Sequence, residues 1–231
     1  MRRLRLFILF CALPRVLYAQ VRTNIELGMA ANYTYARNTN SKYLPIIRPN
    51  TGLYIDIPIK KALAIRTGLG YSIRGYNTVK KEDFGKDKLY YTTNFRMHYL
   101  SVPLMASFRV MQRKRNSVWF DGGLQYNFFL KGYMRYDYKN YSNNELISAE
   151  GSRFPVNGKI SPSKYGNTQN SYDVTGLDVA MKLQLRFVVK QRYSIGLFHE
   201  SSLYDVRVKP DNAGSSVRLQ NTGVSLGYQI R

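Results

Sequence analysis

The residues best suited to covalent chemistry are a histidine and a serine near the end of the chain. In the segment YSIGLFHESSLYDV, His199 and Ser201 flank Glu200 and so share one face of a strand. An imidazole and a hydroxyl placed in this way act as base and nucleophile when a carboxylate orients the imidazole. The nearest downstream acids are Asp205 and Asp211, and the last strand has no Glu at a matching place. We therefore expect a protein that is not an enzyme, and keep a hydrolase that uses His199 and Ser201 as the alternative.

Metal and cofactor chemistry have less support than hydrolysis. The chain has two histidines and one cysteine, and His98 stands apart from His199. Cys11 falls in a segment that we expect to be removed during export. Zinc sites take four ligands, or three and a water, so this inventory predicts neither a metal site nor a cofactor.

Ten further ionisable residues recur on the polar faces of segments whose other face is apolar. In residues 117–133, SVWFDGGLQYNFFLKGY, Val118, Phe120 and Leu124 fall on one parity, and Asp121 and Lys131 fall on the other. Successive side chains of a strand point to opposite faces, so this pattern predicts a strand with one oily and one charged face. The ten residues on such polar faces are Glu26, Asp56, Arg66, Arg74, Asp121, Lys131, Asp178, Lys182, Arg186 and Glu200.

The elements that position these residues are eight strand-like segments joined by connections of alternating length. The segments are 24–37, 53–59, 63–74, 94–109, 117–133, 173–188, 193–206 and 217–230. Their connections are short at 60–62, 111–116 and 190–191, and long at 38–49, 77–92, 134–172 and 207–216. Outer-membrane barrels have an even strand number, short periplasmic turns and long external loops. The pattern therefore predicts an all-β fold, an eight-stranded antiparallel up-and-down transmembrane β-barrel of the outer-membrane type.

The lumen of such a barrel is just wide enough to be filled by side chains. We therefore expect the ten charged residues to form a hydrogen-bonded, charge-paired plug rather than a conducting pore. Two alternatives stay open at this point. The charges are the solvated surface of a soluble sheet, or the barrel is a small passive porin.

Aromatic and basic residues are concentrated in the long connections. Tyr133, Tyr136, Tyr138 and Tyr141 open the longest connection, where their rings either stack on carbohydrate or pack the loop. Basic residues of the external loops are candidates for contact with lipopolysaccharide phosphates, although they equally serve solubility. These basic residues are Lys80, Lys81, Lys86, Lys88, Arg135, Lys139, Arg153 and Lys209.

The first residues, MRRLRLFILFCALPRVLYAQ, have the layout of a secretory signal: basic residues, an apolar core and a small residue at 19. We expect residues 1–19 to be a signal peptide and 20–231 to be the barrel domain. Removing Arg2, Arg3, Arg5 and Arg15 lowers the formal charge from +21 to +17. Export argues against a nucleic-acid partner for this strongly basic chain, and leaves an acidic polymer or the anionic lipid of the outer membrane. Because the only cysteine leaves with the signal, the mature chain has no disulfide.

Several motifs resemble known outer-membrane barrels. HYLSVPLMASFR contains a leucine-x-x-proline-leucine strand (100–104), and WFDGGLQYNFFLKG contains the pair Gly122-Gly123. Together with YSIGLFHESSLYDV and TGVSLGYQIR, these segments are similar to the PorT-type outer-membrane β-barrel family of Bacteroidetes. The resemblance implies a barrel in the outer membrane and a role in envelope assembly or in type IX protein secretion, with proteins of those systems as partners. The spacing of His199 and Ser201 also resembles the pair of outer-membrane lipid A deacylases, which makes a lipid A hydrolase the enzymatic alternative.

Overall fold

A computed structural model describes residues 21–36, 42–143, 145–159, 172–206 and 217–230. Within these ranges all regular structure is β-strand, and no helix is long and apolar enough to cross a membrane. The predicted signal peptide (1–19) and the connection at 207–216 lie outside the described residues. The strands are β1 (Arg22–Ala36), β2 (Lys42–Leu44), β3 (Ile46–Lys60), β4 (Leu63–Arg74), β5 (Asn77–Phe84), β6 (Asp87–Arg113), β7 (Asn116–Ser142), β8 (Glu145–Lys159), β9 (Tyr172–Thr175), β10 (Leu177–Val189), β11 (Tyr193–Ser202) and β12 (Val217–Ile230).

Eight of these strands close into a ring, as the alternation of the sequence predicts. Each ring strand pairs antiparallel with its neighbours in the order β1, β3, β4, β6, β7, β10, β11, β12, and β12 pairs again with β1. Because the ring is closed, each of its eight strands is paired on both sides and none forms a free edge.

The register around the ring shows how strongly the strands tilt. Starting at Thr23, the paired residues are Ile55, Thr67, Leu104, Leu124, Met181, Ser201, Gln220 and finally Tyr33. The path returns to β1 ten residues further along, from position 23 to position 33. A barrel with this stagger has tilted strands, so residues of distant strands meet at one height inside it.

The polar and apolar faces separate as predicted. Outward side chains are apolar and exposed, for example Leu27 (62% exposed), Leu104 (55%) and Leu226 (64%). Inward side chains are largely polar and buried, for example Asn127 and Asp121, both 0% exposed. An exposed apolar belt around a buried polar interior is the reverse of a soluble domain, and suits a ring surrounded by lipid.

The two ends of the barrel differ in their connections. At the short-turn end the hairpins β3–β4, β6–β7 and β10–β11 turn within a few residues, and the first strand begins and the last one ends there. The predicted loops at 77–92 and 134–172 at the other end are corrected by the structure, because much of each is strand. β6 and β7 continue far beyond the ring and recruit β5 and β8 as neighbours. We call β5, the first half of β6, the second half of β7 and β8 the outer sheet.

The sequence pattern does not predict the outer sheet, because neither face of this sheet is continuously apolar. Its strands alternate tyrosine, threonine and charged residues, as in DKLYYTTNFR and YMRYDYKNY. Strand pairing that continues outward from the closed ring extends β6 and β7, although their outer halves have no apolar face.

Lys131 was predicted to face the lumen, and this prediction is wrong. His98 pairs with Lys131 while Tyr99 pairs with Phe129, so Leu130 is the extra residue of a β-bulge. A bulge exchanges the faces of all following residues. Lys131 is therefore exposed on the outer surface, whereas Asp121, before the bulge, is buried in the lumen.

Candidate functional site: the ion-paired lumen and its two ends

The other nine predicted lumen residues are all buried, and they form two ionic layers. In the layer nearer the short-turn end, Arg66 forms an ion pair with Glu26 and places Nη1 3.0 Å from Asp56 Oδ1. Arg186 contacts the same Asp56, and its Nε lies 3.1 Å from Asp121 Oδ2. The layer therefore pairs two guanidinium groups with three carboxylates, and charge-assisted bonds of this kind offset part of the cost of burial.

The second layer lies nearer the long-connection end. Arg74 Nη1 is 2.8 Å from Asp178 Oδ2, and Arg74 also forms an ion pair with Glu200. Lys182 Nζ lies 2.8 Å from Glu200 Oε1. The amide of Asn221 donates to Glu200 over 3.1 Å, so each carboxylate has several partners.

Each layer also includes an amide side chain. Gln184 Nε2 donates to Glu26 Oε2 over 3.2 Å, and Lys182 Nζ donates to Gln125 Oε1 over 3.0 Å. The remaining space between the layers is a cavity of about 20 Å³ lined by Glu26, Lys182 and Glu200 among others. That volume holds about one water molecule. Within the described residues, the middle of the lumen is therefore filled and offers no path for a solute.

An apolar cluster closes the lumen above the second layer. We call it the apolar cap, and its buried members are Tyr76, Phe95, Met97, Tyr99, Val156, Val174, Val206 and Leu219. Phe129 and Met134 pack against it from β7, on either side of the bulge. The sequence does not predict this cap, because its members come from four strands (β6, β8, β9 and β12) and from Tyr76 and Val206 beside other strands, so no single segment shows the cluster.

The short-turn end opens into a pocket of about 380 Å³. Its floor includes Arg186 and Trp119, and its rim carries Arg22, Lys60 and Arg109. Trp119 has the guanidinium carbon of Arg109 at 5.5 Å and that of Arg186 at 5.9 Å from its ring centroid. We call this pocket the basic mouth.

The four predicted tyrosines lie on strand β7 of the outer sheet rather than in a loop. Tyr136 and Tyr138 lie on one face, where Tyr91 is 6.0 Å and 5.5 Å from them between ring centroids. Tyr133 and Tyr141 lie on the other face, so the four rings do not form a single stacking platform. Burial raises the pKa of the Tyr136 phenol above its usual value.

Tyr133 is the centre of a cationic group on the outward face of the outer sheet. The guanidinium carbon of Arg153 lies 3.8 Å and that of Arg96 5.2 Å from its ring centroid. Beside this stack runs a groove of about 580 Å³ that also includes Arg135 and Asp137. Below the group on the same outward surface, Leu100 and Leu130 are exposed. We call Arg96, Tyr133 and Arg153 the arginine–tyrosine stack.

His199 and Ser201 face outward from β11 as partly exposed residues. Nδ1 of His199 is 2.8 Å from the Thr222 hydroxyl and 3.4 Å from that of Tyr33. Among the described residues no carboxylate contacts this imidazole. Glu200, the acid between the two residues in sequence, points into the lumen and pairs with Arg74 and Lys182.

His98 has an analogous environment, since its Nδ1 contacts the Tyr71 hydroxyl on the outward surface. In the part of the chain that the structure describes, no three histidine, cysteine or acidic side chains come together as a metal site would require.

A closed eight-stranded ring with an apolar outer belt, a polar filled lumen and unequal ends defines a small outer-membrane β-barrel protein. Residues 18–202 match the family described as outer membrane protein beta-barrel domain, and the chain belongs to this family. The protein is therefore located in the outer membrane, with the short-turn end in the periplasm and the outer sheet outside the cell.

Solved structures of bacterial surface proteins resemble the fold. Ail, the attachment invasion locus protein of Yersinia pestis, is 12% identical, with 91% of this chain and 99% of that chain covered and a TM-score of 0.41. Neisserial surface protein A is 7% identical, with 90% and 97% covered and a TM-score of 0.41. OprG of Pseudomonas aeruginosa is 11% identical, with 91% and 96% covered and a TM-score of 0.38. No curated protein matches the chain in sequence.

Proposed function

We propose that this protein is a non-enzymatic barrel that supports envelope assembly or protein secretion through contacts at its two ends. The observation that carries the proposal is the filled lumen, whose two ionic layers and apolar cap leave a cavity of only about 20 Å³ between the layers. A barrel that transports nothing through its interior acts through its surfaces. The surfaces outside the lipid are the outer sheet and the periplasmic turns.

The finer part of the proposal is a PorT-type role in type IX secretion in a member of the Bacteroidetes. The motif residues of this resemblance lie on adjacent ring strands, with 100–104 on β6 and Gly122-Gly123 on β7. Leu104 pairs with Leu124, and Met105 pairs with Gly123, so the two motifs lie next to each other in the β6–β7 ladder. Their neighbouring positions favour a common structural role for the two motifs. The secretion role itself is proposed from the resemblance.

The alternative function, hydrolysis of lipid A, has the weaker support. A serine hydrolase needs a base that is oriented by a third group, and His199 instead contacts the hydroxyls of Thr222 and Tyr33. Unchanged lipid A acylation in a deletion strain is the expected result. Loss of a specific acyl product in that strain, restored by the wild-type gene and not by Ser201→Ala, would establish the hydrolase instead.

We also propose lipopolysaccharide as a lipid partner at the external rim. The arginine–tyrosine stack lies on the same outward surface as the apolar belt, on the side of the long connections, and we propose that lipid phosphates meet water at this level. Guanidinium groups bind phosphate oxygens in a bidentate manner. Among the described residues that line the adjacent groove, Asp137 is the only acid, and it already pairs with Arg135.

The experiment that tests the proposed role is affinity isolation of the tagged full-length protein from native outer membranes under mild detergent. We expect a stoichiometric partner that belongs to the secretion or envelope-assembly machinery. A tagged barrel of unrelated function from the same membrane controls for co-extraction. Isolation of the barrel alone, under conditions that preserve known envelope complexes, would remove the proposed role.

A further inference from the structure

The basic mouth differs from the rest of the lumen because four of its five cations form no ion pair with a carboxylate of the described residues. Arg22, Lys60, Lys61 and Arg109 line the pocket together with Arg186. Arg22 comes from β1, Lys60 from β3 and Arg109 from β6, so strands on one side of the ring bring these charges to one opening. Convergence of like charges on a concave surface costs free energy unless a counter-ion or ligand offsets the repulsion.

The acids near the pocket are already engaged. Asp56 lines the pocket and is the register partner of Arg22. Its carboxylate instead accepts hydrogen bonds from Arg66, Arg186 and Asn24. Asp121 likewise bonds Arg186 and the Ser107 hydroxyl. Among the described residues no carboxylate forms an ion pair with Arg22, Lys60, Lys61 or Arg109.

The pocket also has an apolar wall beside these cations. Trp119, Ala64 and Val188 form a small buried cluster at its base, and Pro58 and Ile59 contribute at the side. A volume of about 380 Å³ falls within the usual range for ligand pockets, roughly 300–1,000 Å³. The site therefore suits a ligand that combines negative charge with apolar groups.

The direction of these side chains indicates that the pocket faces the barrel axis and is not a site of contact with surrounding lipid. Arg22 shares the inward parity of Asn24 and Glu26, and Arg109 lies opposite the inward Trp119 in the β6–β7 ladder. These cations consequently face the axis of the barrel rather than the inner-leaflet headgroups around it. Further cations on the turns, including Arg113, Lys114, Arg115 and Arg192, are exposed and extend the positive potential around the opening.

We infer that the basic mouth binds an acidic peptide segment of a periplasmic partner protein. The carboxylates of the peptide segment bond the rim cations, and an apolar side chain of the segment contacts Trp119. The inference deepens the proposed partner-binding role by naming the chemistry of the partner at the periplasmic end. Electrostatic steering by the turn cations brings the segment to the opening.

Trp119 makes the inference directly measurable, because it is the only tryptophan of the chain. The full-length protein is folded in zwitterionic detergent micelles and titrated with an acetylated decapeptide of alternating glutamate and leucine. We expect a saturable change in Trp119 emission that weakens with added salt. A decapeptide with glutamine in place of each glutamate should produce no saturable change.

Matched variants locate the binding to the pocket. Arg22→Gln combined with Lys60→Gln should weaken peptide binding by about tenfold or more, since charge-assisted bonds are lost. Lys114→Gln combined with Arg115→Gln removes the same number of positive charges from an exposed turn. This control should weaken peptide binding by less than about fivefold. Gel mobility of the unheated samples verifies that all variants are folded.

Three outcomes would overturn the inference. They are an unchanged Trp119 emission with the acidic peptide, an equal loss of binding in the turn variant, and competition by phosphatidylglycerol vesicles that reproduces the emission change. This experiment is independent of the affinity isolation. Peptide binding without a copurifying partner refutes the cellular role alone, and a copurifying partner without peptide binding refutes the pocket alone.

Discussion

Arg186 on β10 and Asp56 on β3 meet across the full width of the barrel, with Nη1 2.8 Å from Oδ2. Four strand-to-strand steps separate β3 from β10 in either direction around the ring, so the two strands are diametrically opposite. Arg74 on β4 and Glu200 on β11 are opposite in the same way and form the second bridge. Two ion pairs thus connect the walls of the barrel at two heights, which makes the lumen a packed interior.

The first prediction concerns the stability that these buried charges provide. Arg66 is fully buried against Glu26 and Asp56, so Arg66→Gln leaves carboxylates without their main partner. We expect a loss of about 3–5 kcal/mol in the free energy of unfolding, measured by urea titration in lipid vesicles. Lys131→Gln is the matched control, because Lys131 is exposed, and it should change stability by less than about 0.5 kcal/mol. Equal losses in both variants would contradict the two assigned faces.

The second prediction concerns conductance. Because both ionic layers and the apolar cap close the lumen, the purified protein should give no conductance steps in planar bilayers. A general porin prepared in the same detergent and inserted into the same bilayers is the control. Steps of one reproducible size across independent preparations would restore the passive-channel alternative.

The third prediction concerns neighbouring glycines of β7 that face opposite sides. A Cβ on Gly123 would come within 2.7 Å of Met105 Cα and still closer to the Leu104 carbonyl oxygen, so the backbone of β6 would have to move. A Cβ on Gly122 would meet only side-chain atoms, at 3.4 Å or more. Gly123→Ala should therefore destabilise the barrel by about 1–3 kcal/mol in urea titrations, while Gly122→Ala has little effect. The reverse order would show that the register of β6 and β7 is wrong.

The fourth prediction concerns the β10–β11 turn. Lys190 and Gln191 both have positive φ, 51° and 59°, a conformation that suits asparagine and glycine better. Lys190→Asn with Gln191→Gly should stabilise the barrel by about 1 kcal/mol, measured by the same unfolding assay. The same pair of residues placed at 61–62, where neither position has positive φ, should give no gain. A gain at both turns would point to a general effect on the unfolded chain.

The fifth prediction tests the proposed lipid partner. Arg96→Gln combined with Arg153→Gln should reduce copurifying lipopolysaccharide by roughly tenfold, because two charge-assisted phosphate contacts are lost. Lys114→Gln combined with Arg115→Gln is the control at the periplasmic end, where no lipopolysaccharide is present. Bound lipopolysaccharide is quantified by mass spectrometry of the purified protein. An equal reduction in both variants would show that net charge, rather than the arginine–tyrosine stack, governs retention.

The ring itself follows from local sequence patterns. Alternation in segments such as 117–133 identifies the outward and inward faces, and the alternation of short and long connections predicts an even, closed ring. Both signals are local, because a strand exposes its two faces to different surroundings along its whole length. The nine buried lumen charges were found for the same reason.

The tertiary structure alone decided what lies beyond a single strand. The bulge at Leu130 turned Lys131 outward, although the alternation before it gives no sign of a break. The paired strands of the outer sheet lack an apolar face, so their β-structure comes from pairing with neighbours rather than from a local pattern.

The partners of the lumen charges could not be read from the sequence either. Alternation assigns Arg186 and Asp56 to the interior, but it cannot reveal that they bridge opposite walls. That contact depends on the stagger of ten residues around the ring, which fixes the height of every strand against every other. Sequence periodicity reports on which side of a strand a residue lies, whereas closure of the sheet determines which residues meet.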